Sequence, residues 1–192
     1  NGLQIDGWNR DVMNLEPLPR GSGFKFVDKV KGGSIPKEFI GSVEKGLLEA
    51  KEKGVILGFP MVDFQATLID GSYHDVDSSD IAFKIAAAMA LQDGAKKAGP
   101  TLLEPIMKVE ITVPDNFMGV VIGDISSKRG KILGTDKRGR ATIIKAYVPL
   151  AELSGYVTAL RSLTEGRGVS YMEPSHYENV PANVLKVLTE KK

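Results

Sequence analysis

The chain contains no cysteine among its 192 residues, and this absence excludes disulfide bonds, thiolate zinc sites and cysteine nucleophiles together. It has no apolar run near the roughly 20 residues of a membrane span, and its first residues lack the basic start and apolar core of a secretory signal. We therefore expect a globular cytoplasmic protein with no membrane partner. The sequence also has no Gly-x4-Gly-Lys-Ser/Thr phosphate loop.

The composition that remains, 42% hydrophobic and 26% charged, is enough for one medium domain or two small ones. The formal net charge of +1 conceals a difference between the halves. Up to Glu104 there are 12 basic and 15 acidic residues, and after it there are 13 and 9. The first half is therefore acidic by 3 and the second basic by 4, and a basic half with clustered Lys and Arg can meet phosphate groups.

The first half predicts an alternation of strands and helices. Alternating apolar residues predict strands over 24–30 and 60–70. Apolar residues at helical spacing predict a helix with Pro36 at its first position and Gly54 as its stop. A second helix is alanine-rich and runs to about Ala98. The segments before them are less regular: 1–14 shows no clear strand, and 15–23 reads as an extended Pro- and Gly-rich connection.

A polar loop at 71–80 separates the second strand from the alanine-rich helix. Asp77, Ser78 or Ser79 is expected to be the N-cap, because these side chains accept hydrogen bonds from the first amides of a helix. The preceding residues then lie on a loop held by a strand on one side and a helix on the other, which is a good place for function. These residues are Ser72, Tyr73, His74 and Asp75.

Two chemical interpretations of this loop compete with a simple surface loop. His74 could serve a hydrolase, but no nucleophile with a positioned base accompanies it. Asp75, Asp77 and Ser79 imitate the first positions of a calcium loop. That pattern then fails, because Asp80 replaces the required glycine and Ala86 stands at the position of the bidentate glutamate, so we expect no metal site.

The second half predicts the order β-α-β-β-α-β, the split βαβ or ferredoxin-like plan, followed by a terminal helix. Lys128, Arg129, Lys131, Lys137, Arg138 and Arg140 form its densest basic group, for which a solvated surface and an RNA contact are both open. Asp124 and Glu152 are expected to be caps or ion-pair partners. The predicted elements are strands at 106–114, 131–134, 141–149 and 168–173 and helices at 115–129, 151–163 and 181–190, with a turn at 135–139.

Six segments, taken in order, carry a resemblance to a known family: KGGSIP at 31–36, GSYHDVDSS at 71–79, LEPIMKV at 103–109, VIGDISSKRG at 121–130, VPLAEL at 148–153 and LRSLTEGRG at 160–168. This ordered set resembles the C-terminal part, domains IV and V, of the elongation factor G family, the GTPases of ribosomal translocation. The resemblance begins near Leu15. The Gly- and Gln-rich lead into domain IV is not recognisable in 1–14.

The resemblance implies an α+β protein of two small domains. Residues 1–102 would form a βαβ unit with a left-handed crossover, against the usual right-handed rule. Residues 103–192 would form a ferredoxin-like β-α-β-β-α-β domain with a C-terminal helix. GTP and magnesium would bind in an N-terminal domain missing from this chain, so the resemblance implies no cofactor and no enzymatic activity here.

The resemblance also implies partners. The first domain's tip loops, formed by Gly32 and Gly33 and by Ser72 to Asp75, would enter the small-subunit decoding site beside tRNA and mRNA. Lys29, Lys31 and Lys37 flank the glycine turn and could neutralise phosphates. The second domain would rest on large-subunit rRNA near the stalk base, where the basic group could bind. We expect a monomer that acts on the ribosome.

Two alternatives stay open from the sequence. A paralogue devoted to ribosome recycling or ribosome protection would share these domains, although the intact Ser-Tyr-His-Asp-Val-Asp loop argues against protection. An unrelated hydrolase using His74 is the more distant alternative.

Overall fold

The computed structural model describes residues 10–73 and 78–190. The chain divides into two compact units, 1–101 and 102–192. This boundary falls one residue before the expected one, because the Leu102 carbonyl already accepts a hydrogen bond of 2.9 Å from the Val180 amide of the second unit. We call the two parts unit 1 and unit 2.

Unit 1 is a three-stranded sheet covered by two helices. Its elements are β1 (Arg10–Pro17), β2 (Phe24–Asp28), α1 (Lys37–Lys53), β3 (Phe64–Ser72) and α2 (Asp80–Ala98). The strand order is β1-β3-β2, with β1 antiparallel and β2 parallel to the central β3. Strands β2 and β3 are joined through α1, which is the expected βαβ arrangement. The hand of that crossover stays a prediction.

Strand β1 corrects the expectation that 1–14 holds no strand and that an extended connection begins at residue 15. A bulge between Val12 and Met13 shifts the register against β3, and this shift breaks the period of two on which strand prediction depends. Met13 is nevertheless 1% exposed and packs in the core. The strand was therefore hidden by an irregularity of pairing rather than by a lack of apolar residues.

The two helices of unit 1 pack closely because small residues line their contact. A Cβ added to Gly46 of α1 would lie 2.3 Å from the Lys84 carbonyl oxygen of α2. Ser42 of α1 donates a hydrogen bond of 2.5 Å to Asp80 at the start of α2, and Lys84 pairs with Glu49 at 2.6 Å. The buried face of α2 is largely alanine: Ala86, Ala87, Ala90 and Ala95 with Phe83 and Leu91.

Unit 2 has the predicted ferredoxin-like plan. Its sheet is antiparallel with the order β5-β6-β4-β7, and the helices α3 and α4 contribute Val121, Ile125, Tyr156 and Leu160 to the core. The elements are β4 (Leu103–Pro114), α3 (Met118–Ser127), β5 (Lys131–Arg138), β6 (Ala141–Pro149), α4 (Tyr156–Leu163), β7 (Val169–Asn179) and α5 (Ala182–Glu190).

Several of the predicted element boundaries in unit 2 were wrong. The helix predicted over 115–129 is a 3₁₀ turn at Asp115–Phe117 followed by α3, and the helix predicted over 151–163 is a 3₁₀ turn at Leu150–Leu153 followed by α4. Strand β7 continues to Asn179, well beyond the predicted end at 173. Strand β5 continues through the predicted turn at 135–139, because its pairing with β6 persists to Arg138 opposite Ala141.

Candidate nucleic-acid interface

The first candidate surface, which we call the tip, is the end of unit 1 reached by residues 29–39 and by Ser72 and Tyr73. Strands β2 and β3 are parallel, with Asp28 opposite Leu68, so the segments that follow them leave the sheet at the same edge. The Lys29 amide donates a hydrogen bond of 2.8 Å to the Leu68 carbonyl, which holds the first segment against β3. The topology therefore brings the two predicted loops to one end of the unit.

The glycine turn needs glycine for its backbone conformation. Gly32 and Gly33 have φ angles of 72° and 73°, a left-handed conformation that other residues adopt at a cost of roughly 1–2 kcal/mol each. A Cβ at either position would meet nothing within 4 Å. The conformation, and not crowding within the unit, thus accounts for the two glycines, and the turn presents bare backbone to solvent.

Aromatic rings connect the tip to its scaffold. The Phe39 ring, in the first turn of α1, stacks on Phe83 of α2 with centroids 4.9 Å apart. It also lies 6.2 Å from the ring of Tyr73, which is 38% exposed. No local pattern in the sequence indicates this bridge, because its three rings are distant in the chain. The preceding Ile35, 2% exposed, anchors the glycine turn in the core.

The start of α2 confirms the expected cap. Ser79 is the N-cap, and its hydroxyl accepts a hydrogen bond of 3.2 Å from the Ala82 amide. Helix α1 instead begins at Lys37, one residue after the prediction, because Pro36 has an extended ψ of 138°. Ser72 ends β3 opposite Arg10. His74 and Asp75 of the predicted site lie outside the described residues.

Three lysines surround the glycine turn. Lys29, Lys31 and Lys37 are exposed, and no carboxylate in the described ranges forms an ion pair with them. An exposed ammonium group without a carboxylate neighbour can approach phosphate without first breaking an internal pair. The tip therefore combines bare backbone, one partly exposed ring and positive charge.

The second candidate surface, the basic group of unit 2, is separated into two clusters by the length of β5. Lys128, Arg129 and Lys131 lie at the start of this edge strand, and Lys137, Arg138 and Arg140 lie at its end. The length of the strand separates the clusters by roughly 20 Å. The six residues are dense in sequence, but the structure does not bring them together as one patch.

Half of the basic group is paired with acids of the same unit. Lys137 lies 3.0 Å from Asp115, which also accepts a hydrogen bond of 2.6 Å from Thr142; these bonds hold the pKa of Asp115 below its usual range, with Thr142 the larger cause. Lys128 lies 3.8 Å from Asp124. Lys131, Arg138 and Arg140 are exposed, and the described residues offer them no ion-pair partner.

Arg129 is the most constrained member of the basic group. Its two terminal nitrogens donate to both carboxylate oxygens of Glu104, at 2.6 and 2.9 Å, and its Nε donates to Glu152 at 2.9 Å. These bonds raise the pKa of Arg129 above its ordinary value, Glu104 being the largest cause. The expectation that Asp124 and Glu152 are ion-pair partners is confirmed. Glu104 was missed as a partner because Arg129 lies 25 residues away in the sequence.

No metal-binding cluster accompanies these surfaces in the described part of the chain. Within 10–73 and 78–190, no group of three or more His, Asp or Glu side chains is placed to hold a metal ion. Among the same residues, no helix has both the length and the apolarity to cross a bilayer. The exposed cations of the two surfaces that pair with no described carboxylate favour recognition of an anionic surface.

Comparison with known proteins follows the division into two units. The family model described as elongation factor G, domain IV matches residues 6–99, and the one described as elongation factor G C-terminus matches residues 101–188. Elongation factor G of Aquifex pyrophilus is 55% identical over 181 residues, which are 94% of this chain and 26% of that protein. The chain thus spans about a quarter of the length of this curated relative.

A solved structure gives the same result for the fold. The crystal structure of a protein from Thermus thermophilus matches with a TM-score of 0.80 and 37% identity, covering 99% of this chain and 29% of that one. The two family models together cover both units, which identifies the chain as part of a translation elongation factor. The chain belongs to the elongation factor G family, of which it contains domain IV and the C-terminal domain.

Proposed function

We propose that this chain is the ribosome-binding C-terminal region of an elongation factor G-like GTPase, and that it promotes movement of tRNA and mRNA by inserting the tip into the small-subunit decoding site. The observation that carries the proposal is the parallel pairing of β2 and β3, which brings the Gly32-Gly33 turn and Tyr73 to one end of unit 1. Family membership supplies the biological setting.

The proposed action of the tip is steric and electrostatic. The glycine turn allows backbone to approach RNA closely, because no side chain projects from it. Lys29, Lys31 and Lys37 neutralise phosphates around it, and the histidine that follows Tyr73 donates hydrogen bonds to RNA or stacks on a base. The tip would uncouple the codon–anticodon duplex from the decoding site and hinder its return.

Unit 2 supplies a second contact in this proposal. Its exposed cations, Lys131, Arg138 and Arg140, would meet phosphates of large-subunit rRNA near the stalk base. GTP and magnesium would bind in an N-terminal domain of the longer protein, which would supply the energy for the movement. The factor would act as a cytoplasmic monomer.

The test uses the full-length factor with His74→Ala at the tip. We expect single-round translocation to slow by about tenfold, which corresponds to the loss of one hydrogen bond of about 1.4 kcal/mol, while ribosome-stimulated GTP hydrolysis persists. The matched control is His176→Ala, which removes the second of the two histidines in the chain. That ring lies in unit 2 between Ser175 and Glu178, so its loss should leave translocation unchanged.

Unchanged translocation in His74→Ala would reject the assignment of this loop to the tip. Equal slowing by His74→Ala and His176→Ala would indicate a general loss of fold. A full-length wild-type factor that hydrolyses GTP but moves no tRNA would reject translocation and favour a recycling role.

A further inference from the structure

Arg129 occupies a backbone position that normally belongs to glycine. It follows α3 with a φ of 58°, and the next amide, of Gly130, donates a hydrogen bond of 2.9 Å to the Ile125 carbonyl. This is the closing bond of a Schellman motif, whose left-handed residue is usually glycine. A residue other than glycine at this position carries backbone strain, which contacts of its side chain can offset.

That side chain joins three elements of unit 2. Its planar fork makes a bidentate pair with Glu104 at the start of β4, and its Nε reaches Glu152 in the 3₁₀ turn before α4. The side chains of Arg129 and Glu104 are only 26% and 12% exposed. Paired donors in this geometry fix orientation as well as charge. The guanidinium is thus already engaged before any phosphate approaches.

Glu104 lies where β4 is held on one side only. Residues Leu103 to Pro105 pair with β7, but pairing of β4 with β6 begins at Ile106. The first three residues of β4 therefore project beyond their neighbour on the β6 side. Strand β7 holds the overhang from one side, and the bidentate bond from Arg129 adds a side-chain contact at Glu104.

The overhang, Leu103 to Pro105, follows directly after the short segment that connects unit 1 to unit 2. Helix α2 ends at Ala98, Gly99 is left-handed, and the first backbone bond into unit 2 is made by Leu102. Only residues 99–101 lie between, and Pro100 among them has a fixed φ. Because this connection is so short, a displacement of unit 2 reaches α2 when both the end of α2 and the start of β4 are firmly held.

We propose that Arg129 is a positioning residue that clamps the end of this connection to unit 2, so that movement of unit 2 is passed through residues 99–101 to the tip. This rests on the proposed function and deepens it, because it removes Arg129 from the phosphate-binding set and assigns it to transmission. Lys131, Arg138 and Arg140 remain the phosphate contacts of unit 2.

The test compares variants of the full-length factor. Arg129→Gly removes the clamp while favouring the left-handed backbone, and Glu104→Gln weakens the same clamp from the other side. The matched control is Glu165→Gly, since Glu165 is also a charged left-handed residue but pairs with Arg167 on the exposed surface. Arg129→Lys keeps the charge and loses the fork, and it should recover only part of the activity.

We expect Arg129→Gly and Glu104→Gln to slow single-round translocation at saturating factor by about fivefold or more, within the usual range of coupling between sites. GTP hydrolysis on the ribosome and the salt dependence of ribosome affinity should not change. Inserting Gly-Ser after Thr101 should slow translocation similarly, and adding Arg129→Gly to that insertion should cause little further loss, because both changes break one connection.

Two results would overturn the clamp. If Arg129→Gly translocates normally but has a lower unfolding midpoint, Arg129 only stabilises the fold through its ion pairs. If the ribosome affinity of Arg129→Gly depends less on salt than that of wild type, Arg129 binds phosphate. Failure of the proposed function can be distinguished from failure of the clamp, because in that case the wild-type factor itself would show no translocation activity. Glu165→Gly should match wild type throughout.

Discussion

The two positively charged surfaces differ in how their charges are used. At the tip, Lys29, Lys31 and Lys37 surround bare glycine backbone, and no described carboxylate pairs with them. In unit 2, Lys137 is paired with Asp115, and Arg129 is held by two glutamates. The density of basic residues in a sequence therefore does not measure the charge available to a partner. Availability depends on the acids that the fold brings near each basic side chain, some of which are distant in the chain.

The largest effect is expected from a substitution in the scaffold of the tip, at the contact between α1 and α2, and it is an effect on stability. Gly46→Ala would place a Cβ 2.3 Å from the Lys84 carbonyl oxygen, a backbone atom that cannot rotate away. Because α1 and α2 must separate to relieve the clash, we expect the free energy of unfolding to fall by about 2–3 kcal/mol. Urea denaturation followed by circular dichroism measures the change.

Gly41→Ala is the matched control in the same helix. A Cβ at Gly41 would meet nothing within 4 Å, so alanine's higher helix propensity should stabilise the protein by about 0.5–1 kcal/mol. Effects of opposite sign would show that the contact, and not helix propensity, governs Gly46. If both alanine variants were stabilising, the close packing of α1 and α2 would be refuted.

Sequence reasoning succeeded where one local pattern decided the structure. The Ser79 cap, the stop at Gly54 and the β-α-β-β-α-β order each depend on residues adjacent in the chain. It failed at β1, where a bulge breaks the alternation, and at β5, which continues through a turn-like sequence because β6 pairs with it. Strand pairing is a property of two segments, so one segment alone cannot specify its length.

The site shows the same division. The glycine turn could be predicted because two consecutive glycines are rare outside turns, and its position at the tip followed from the resemblance. The bond between Arg129 and Glu104 could not be predicted, because nothing in the neighbouring sequence distinguishes Arg129 from Arg138. The ring contact of Phe39 with Tyr73 likewise joins residues that are distant in the chain.

The availability of charge in unit 2 can be tested by removing two charges at a time. Arg138→Gln with Arg140→Gln should reduce the slope of log affinity for ribosomes against log salt by about 2, one for each phosphate no longer neutralised. At a salt concentration of about 0.15 M, we expect an affinity loss of about tenfold, or about 1.4 kcal/mol. Filter binding of the full-length factor over a range of potassium concentrations measures both quantities.

The control pair is Lys128→Gln with Lys137→Gln, which removes the same net charge from the same group. Because these lysines already pair with Asp124 and Asp115, we expect the salt slope to change by less than half as much. Equal slopes for the two double variants would show that internal pairing does not limit availability. The contrast drawn between the two surfaces would then fail.

The smallest effect is expected at Asp63, at the other end of β3 from the tip. Its Oδ1 accepts a hydrogen bond of 2.9 Å from the Gly23 amide, and this bond is the main cause that holds the pKa of Asp63 below its usual range, against burial, which raises the pKa and is the next largest cause. A carboxyl whose pKa is lower in the folded state stabilises that state above its unfolded pKa near 3.8. The contribution is lost as the pH falls through the folded value.

Asp63→Asn isolates this charge, because asparagine also tolerates the left-handed φ of 58° at this position. We expect the variant to be less stable than wild type at pH 7 by less than about 1 kcal/mol, and the two to converge as the pH falls below the lowered pKa of Asp63. Asp136→Asn is the comparison in unit 2, where the exposed Lys145 lowers the pKa of the carboxyl. Salt at about 0.5 M should abolish the effect at Asp136, since a mobile ammonium is its partner, and should spare Asp63, whose partner is a fixed backbone amide. Equal salt sensitivity at both positions would mean that the backbone bond at Asp63 contributes no more than a surface ion pair.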